Sequence, residues 1–246
     1  MDKVRRALAH GKAMSFEEAV QFFGEKIALT PEQFHRLSEK YRHIAFTISS
    51  YTSVQMVNQI YTALLEAIEE GSTVESFKEQ ANTLLESNGY TGLSPRHAET
   101  IFRTNTMTAY NAGHYRQMSD PAVIKARPYW QYHAIEDDAS RPSHLAMNGR
   151  VFPADSPVWD TWYPPNGYKC RCRVTSLSKR QVEERGLVVE ETPPASERLP
   201  DGRFTHIHPD ERFATNPGKV EFKPDLSDFP DVLREAFEKK MTEESP

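Results

Sequence analysis

Two cysteines in 246 residues, with a single residue between them, cannot build a disulfide framework. A reducing compartment is therefore the expectation. No apolar run approaches the roughly 20 residues needed to span a bilayer. The opening stretch, MDKVRRALAHGKAMSFEEA, holds no continuous apolar segment of the kind a signal peptide needs, so no membrane partner is expected. Positive charge is not in excess: 30 Lys and Arg stand against 35 Asp and Glu, a net charge of −5. This excludes a basic nucleic-acid-binding surface over the whole chain and leaves room only for a local patch. There is no internal repeat, no phosphate-cradling glycine loop and no nucleophile motif. Glycine is sparse, at 11 residues against 17 prolines, and the prolines gather after residue 120. A regular first half and an irregular second half follow.

The length fits one large domain or two small ones, enough for a substantial core. Residues 1–14 read as a flexible basic arm. Ser15 and Glu18 fit a capping box for a first helix running to Ile27. Thr30, Pro31 and Gln33 open a second, expected to reach about Phe46. In the third, Val54, Val57, Ile60, Tyr61, Leu64, Leu65 and Ile68 recur at helical spacing before Gly71. Thr73 caps a fourth, with Phe77, Ala81, Leu84 and Leu85 on one side and Gly89 as its stop. Ser94 and Pro95 start a fifth over 96–118. These apolar stripes predict a helical bundle over residues 15–120.

Beyond Pro121 the pattern changes. Residues 129–135 alternate as a strand does. Residues 136–142 read as a turn into a short helix at 141–147, with Ser140 as its cap, ended by Asn148-Gly149. Residues 150–152 suggest a second strand and 169–175 a third. Between them, 153–167 carry too many prolines for regular structure. Ser178 caps a helix that Gly186 stops. Residues 191–246 read as a linker and C-terminal extension, with 203–218 a loop or short strand pair and a last helix over 230–241. The predicted class is α+β: an N-terminal helical bundle region, then a small, irregular, aromatic-rich β-containing region.

The stretch Arg127–Cys172 organises the chain. All three tryptophans (Trp130, Trp159, Trp162) and both cysteines lie in it, beside Asp137, Asp138, His133 and His144. On a strand, Cys170 and Cys172 would share one face about 7 Å apart; in a turn they would converge on one ion. His144 is the third candidate ligand, with Asp138, Asp137 or His133 as the fourth, and zinc is the metal that suits such donors. The competing reading is two small buried thiols beside a tryptophan-rich loop. His206 and His208 form a second His-x-His pair, read as solvent-facing or hydrogen-bonded. Asp137, Asp138, Arg141 and His144 suit either acid–base work or a polar network that fixes the loop. Arg103, Asn105 and Asn111, polar positions on the fifth helix, are placed to bond backbone groups that a proline-rich segment leaves unpaired.

Several segments together resemble the Mu F-like head morphogenesis proteins of tailed bacteriophages. They are ETIFRTNTMTAYNAGHY (99–115), RPYW (127–130), the Asp138, Arg141, His144, Gly149 series, PPNGYKCRC (164–172) and FATNPG (213–218). The resemblance makes 121–190 a Mu F-like core with an Asp-Arg-His and Cys-x-Cys signature. It departs at His114, where arginine is the commoner residue. It implies a minor head protein of a phage or prophage, located in the virion at the capsid interior and made in the host cytoplasm. Its implied partners are the portal protein, other phage head proteins and double-stranded DNA. It implies no enzyme; the rival reading is a metal-dependent hydrolase or nuclease using the His, Cys and Asp cluster.

Overall fold

The structure, a computed structural model, describes residues 17–37, 44–49 and 53–219, together with 42, 51, 231, 234–236, 238 and 239. The basic arm, Ser15, and Val232, Leu233 and Phe237 of the last expected helix lie outside the described residues. The chain forms two compact units, one of residues 1–102 with 220–246 and one of residues 103–219. Helices precede small sheets, so the class is α+β.

The first unit is built on α3 (Val54–Glu70), whose buried face holds Val57, Ile60, Tyr61 and Leu64 of the predicted stripe, while Val54 at its first turn is exposed. Gly71 closes it at φ 65°, a left-handed conformation that glycine adopts without a Cβ penalty. α4 (Val74–Ser87), capped by Thr73, packs Phe77, Ala81 and Leu85 into the same core. α1 (Glu17–Gly24) adds Phe22 and Phe23. The Tyr61 ring stacks on Phe23 at 5.1 Å, and its hydroxyl donates to the Gly24 carbonyl at 2.7 Å.

Two expectations fail here. The first helix ends at Gly24 rather than Ile27, and α2 (Pro31–His35) ends far short of Phe46, although its Thr30–Gln33 capping box forms as predicted. Ile27 and Phe46 belong instead to β1 (Ile27–Ala28) and β2 (Ala45–Phe46), a parallel pair with α2 in the crossover. Apolar residues in so short a run fit either element, and burial on both sides favours the strand. α5 (Pro95–Met118) gives the first unit Ala98, Ile101 and Phe102, and gives its remainder to the second.

The second unit centres on β3 (Tyr129–His133). It is flanked by β4 (Val151–Pro153) and β5 (Arg173–Leu177), both antiparallel, in the order β4-β3-β5. α6 (Pro121–Ala126) leads into the sheet and α9 (Lys179–Glu184) leaves it, with the Ser178 capping box in place. Trp130, Tyr132, Met147, Phe152, Trp159, Trp162, Tyr163 and Val174 form the core. Three buried tryptophans at 150–250 Å² each contribute about 4–6 kcal/mol apiece of hydrophobic driving force before entropy is counted. Tyr115 of α5 meets Trp130 and Tyr163 edge-on, at 5.6 and 4.9 Å.

Four local expectations are corrected in this unit. Ser140 is not a helix cap: its hydroxyl bonds the Ile135 carbonyl and Asp137, and α7 (Pro142–Met147) starts at Arg141 without a side-chain cap. Within 153–167 a one-turn helix, α8 (Val158–Trp162), forms where Val158, Trp159 and Trp162 can all be buried. The third strand starts at Arg173, so both cysteines precede it. Part of the 191–202 linker is β6 (Ser196–Arg198), paired with β7 (Phe204–His206).

The segment after β7 returns to α8. Buried Asn216 donates to the Trp159 carbonyl at 2.9 Å and accepts from the Gly218 amide at 2.8 Å, while Lys219 pairs with Asp160. A Cβ on Gly218 would lie 2.4 Å from Cβ of Tyr115, so only glycine fits against that ring.

Candidate functional site

The loop from Tyr163 to Cys172 carries both thiols to α7. It includes a cis Pro164–Pro165 bond, and Lys169 sits at φ 56°. Asn166 anchors it from inside: this buried side chain accepts from the Tyr132 hydroxyl at 2.8 Å and donates to the Thr161 carbonyl at 3.4 Å. The Lys169 amide donates to Thr104 Oγ1 at 3.2 Å. Asn111 donates to the Cys172 carbonyl at 3.3 Å, the service predicted for polar residues of the fifth helix. Arg103 is exposed and Asn105 half-buried on the same helix.

His144 lies in the last turn of α7 with its ring edge-on to Trp162. Its Nδ1 is 3.8 Å from Cys170 Sγ and 3.5 Å from Cys172 Sγ. The three donor atoms all lie within 4.8 Å of one another. The residues are only 2%, 3% and 3% exposed. His144 Nε2 is buried with no hydrogen-bond partner. The cysteines therefore converge through a turn, not along a strand face.

The two thiols titrate as a pair. Cys170 is pushed below the ordinary thiol range, first by the hydrogen bond from Cys172 and then by that from His144, against the effect of burial. Cys172 is pushed up by its bond to Cys170, by burial and by the neighbouring charge. One proton leaves easily, and the second is held because two uncompensated thiolates cannot share an enclosed site. Burial and the same sulfur charges drive the Tyr132 phenol well above its usual range.

The other expected site residues sit apart from this cluster. Asp138 is exposed and outside it. Asp137 accepts two bonds from Arg171, at 2.7 and 2.6 Å, and that guanidinium holds its carboxyl below the ordinary carboxylate range. Arg141 pairs with Asp210 at 3.0 Å and donates to the Tyr168 carbonyl at 3.2 Å. His133 bonds Thr175 Oγ1 at 2.8 Å. His206 and His208 are exposed. Two separate ion pairs thus brace the cysteine loop, one from the 136–141 turn and one from Asp210.

Sequence reasoning missed Asp210, Asn166 and Gly167. A Cβ on Gly167 would come 2.4 Å from Asp210 Oδ2 and 2.7 Å from Arg141 Cζ, so any larger residue must displace the tips of this ion pair. Nothing local marks Asp210 as a partner for a residue 69 positions earlier (Arg141).

Chemically, the cluster offers two thiols and one imidazole nitrogen to a common point. These are the donors of zinc sites. Without an ion they form a thiol–imidazole hydrogen-bonded set.

Residues 58–175 match the family described as Phage Mu protein F like protein. The Mu-like prophage FluMu F protein of Haemophilus influenzae is 37% identical over 157 residues, covering 59% of this chain and 37% of that protein. Protein F of Escherichia phage Mu, whose name assigns it to capsid assembly, is 35% identical over 199 residues, covering 74% of this chain and 45% of that protein. An uncharacterized protein of Methanocaldococcus jannaschii is 37% identical over 60 residues, covering 22% of this chain and 9% of that protein. The chain thus spans less than half the length of the curated relatives it matches. No solved structure matches it. By the family match, which takes in Asn111, His144, Cys170 and Cys172, residues 58–175 are similar to the Mu protein F like family.

Proposed function

We propose that this chain acts in phage head morphogenesis as a minor head protein, held at the portal vertex on the inner side of the capsid. The similarity to protein F of phage Mu carries the reading. The structure adds support against the enzyme alternative. A hydrolase or nuclease using His144, Cys170 and Cys172 must admit substrate to them, and all three are at most 3% exposed behind Trp162 and Tyr132. The signature residues hold a loop in place rather than line a cleft. We assign the partner role to other head proteins before DNA, because a net charge of −5 opposes general phosphate binding.

The test is recovery of the protein in particles. Heads purified from cells that produce the encoding phage should contain it, and it should co-purify with the portal protein when the two are co-expressed. Its consistent absence from purified heads would refute the assignment. A DNA contact would show as binding that weakens steeply with added salt.

A further inference from the structure

We propose that His144 Nδ1, Cys170 Sγ and Cys172 Sγ bind one zinc ion that clasps the 163–172 loop to α7. This stands apart from the head-assembly reading and does not depend on it.

Distance carries it first. Zinc bonds of about 2.3 Å to sulfur and about 2.0–2.1 Å to nitrogen, held tetrahedrally, set each nitrogen–sulfur edge at about 3.6 Å. The two such edges here are 3.8 and 3.5 Å, both to the same ring nitrogen. One nitrogen cannot serve two thiols well by hydrogen bonding. A neutral Nδ1 is either one donor or one acceptor, and thiols are weak partners in both senses. A metal satisfies all three atoms at once.

Charge carries it second. A divalent ion with two thiolates and a neutral imidazole is a neutral centre, the form in which such groups tolerate burial. The thiols are nearly sealed, and the neighbouring Arg171, which is paired with Asp137, offsets their charge only in part. Binding expels two thiol protons to solvent. The fourth position is left to a ligand from outside the three, and the Tyr132 hydroxyl, which donates to Asn166, is the polar group beside Cys172.

The ligand set also explains the loop. Cys170 and Cys172 follow a left-handed Lys169, and neither lies in regular structure. Weak backbone pairing over 163–172 leaves a need for another fastening, and α7 provides it with one side chain.

The experiment uses the full chain, purified untagged under reductant without chelators. Metal is counted by plasma mass spectrometry. The apoprotein, made by chelation, is then titrated with cobalt(II) as a spectroscopic stand-in. About one zinc per chain is expected, with an intense sulfur-to-cobalt charge-transfer band and tetrahedral ligand-field bands. His144→Gln, Cys170→Ser and Cys172→Ser should each lose the metal, and Asp138→Asn should keep it. If the single variants fail to fold, the cobalt spectrum of the unaltered chain still decides, because only thiolate ligation gives that band. No zinc and no charge-transfer band on reduced protein overturns the proposal and leaves a thiol–imidazole pair. Zinc retained in both serine variants also overturns it, since the ion would then sit elsewhere.

Discussion

Trp130 and Trp159 pack at 5.6 Å between ring centroids, both within 1% of complete burial, yet their indole N–H groups differ. Trp159 Nε1 donates to the Pro153 carbonyl at 2.8 Å. Trp130 Nε1 is buried with no partner. Replacing each in turn by phenylalanine removes a similar ring volume, so cavity terms largely cancel in the comparison. The hydrogen-bond terms do not cancel. Trp159→Phe loses a bond worth about 0.5–1.5 kcal/mol, the lower end being favoured because the Ser156 amide still donates to the Pro153 carbonyl. Trp130→Phe removes an unpaired buried donor that costs about 1–3 kcal/mol. Trp159→Phe should therefore be the less stable variant by about 1.5–4.5 kcal/mol. Urea unfolding followed by tryptophan fluorescence measures this within the second unit alone, because all three tryptophans lie there and each variant keeps two. Equal stabilities, or the reverse order at unchanged denaturant slope, would refute the reasoning and mean that the Trp130 N–H finds a partner in solution.

Three further outcomes are expected. Asp137 has a folded-state pKa depressed below its ordinary 3.8, so its contribution is full above that pH and is lost as pH falls through the folded value. The stability gap between the native chain and Asp137→Asn should accordingly close on acidification below about pH 4, and a gap that widens there would contradict the pairing with Arg171. Gly167→Ala forces a Cβ onto Asp210 and Arg141 and should cost about 1–3 kcal/mol by thermal unfolding; no loss would mean the ion pair is not held where described. Asn216→Ala should cost about 1–3 kcal/mol and make residues 210–219 the first site of limited proteolysis, since the side chain holds that segment to α8; an unchanged cleavage pattern would count against that role.

The helices of the first unit were legible because α3 and α4 repeat apolar residues over several turns and are bracketed by Thr73, Gly71 and Gly89. The β1–β2 pair was not, because two-residue strands carry no period. In the second unit β3 announced itself by alternation, whereas β5 begins four residues beyond the start of its expected stretch and β6 lies in an expected linker. α8 stayed hidden because its prolines at 153 and 157 flank the turn rather than interrupt it. For the site, Cys170, Cys172 and His144 were readable as candidate donors, but the fourth ligand offered beside them, Asp138, Asp137 or His133, lies apart from the cluster. The braces of the site were not readable. Asp210 and Asn216 act across long sequence separations, set by how the chain folds back and not by any local pattern. The expected single network of Asp137, Asp138 and Arg141 assumed that neighbours in sequence share partners, and the turn at 136–141 sends them to different ones.

The return of Asn216, Gly218 and Lys219 to α8 and Tyr115 also sets a clock. The second unit begins at Arg103 and is not closed until Lys219 exists. At about 5–20 residues per second, a ribosome needs roughly 6–23 s to make that span. For those seconds Trp159 lacks the segment that finally binds its carbonyl, and a half-built aromatic wall waits in a crowded cell. In such a protein, chaperone demand and expression temperature should govern yield as strongly as final stability does.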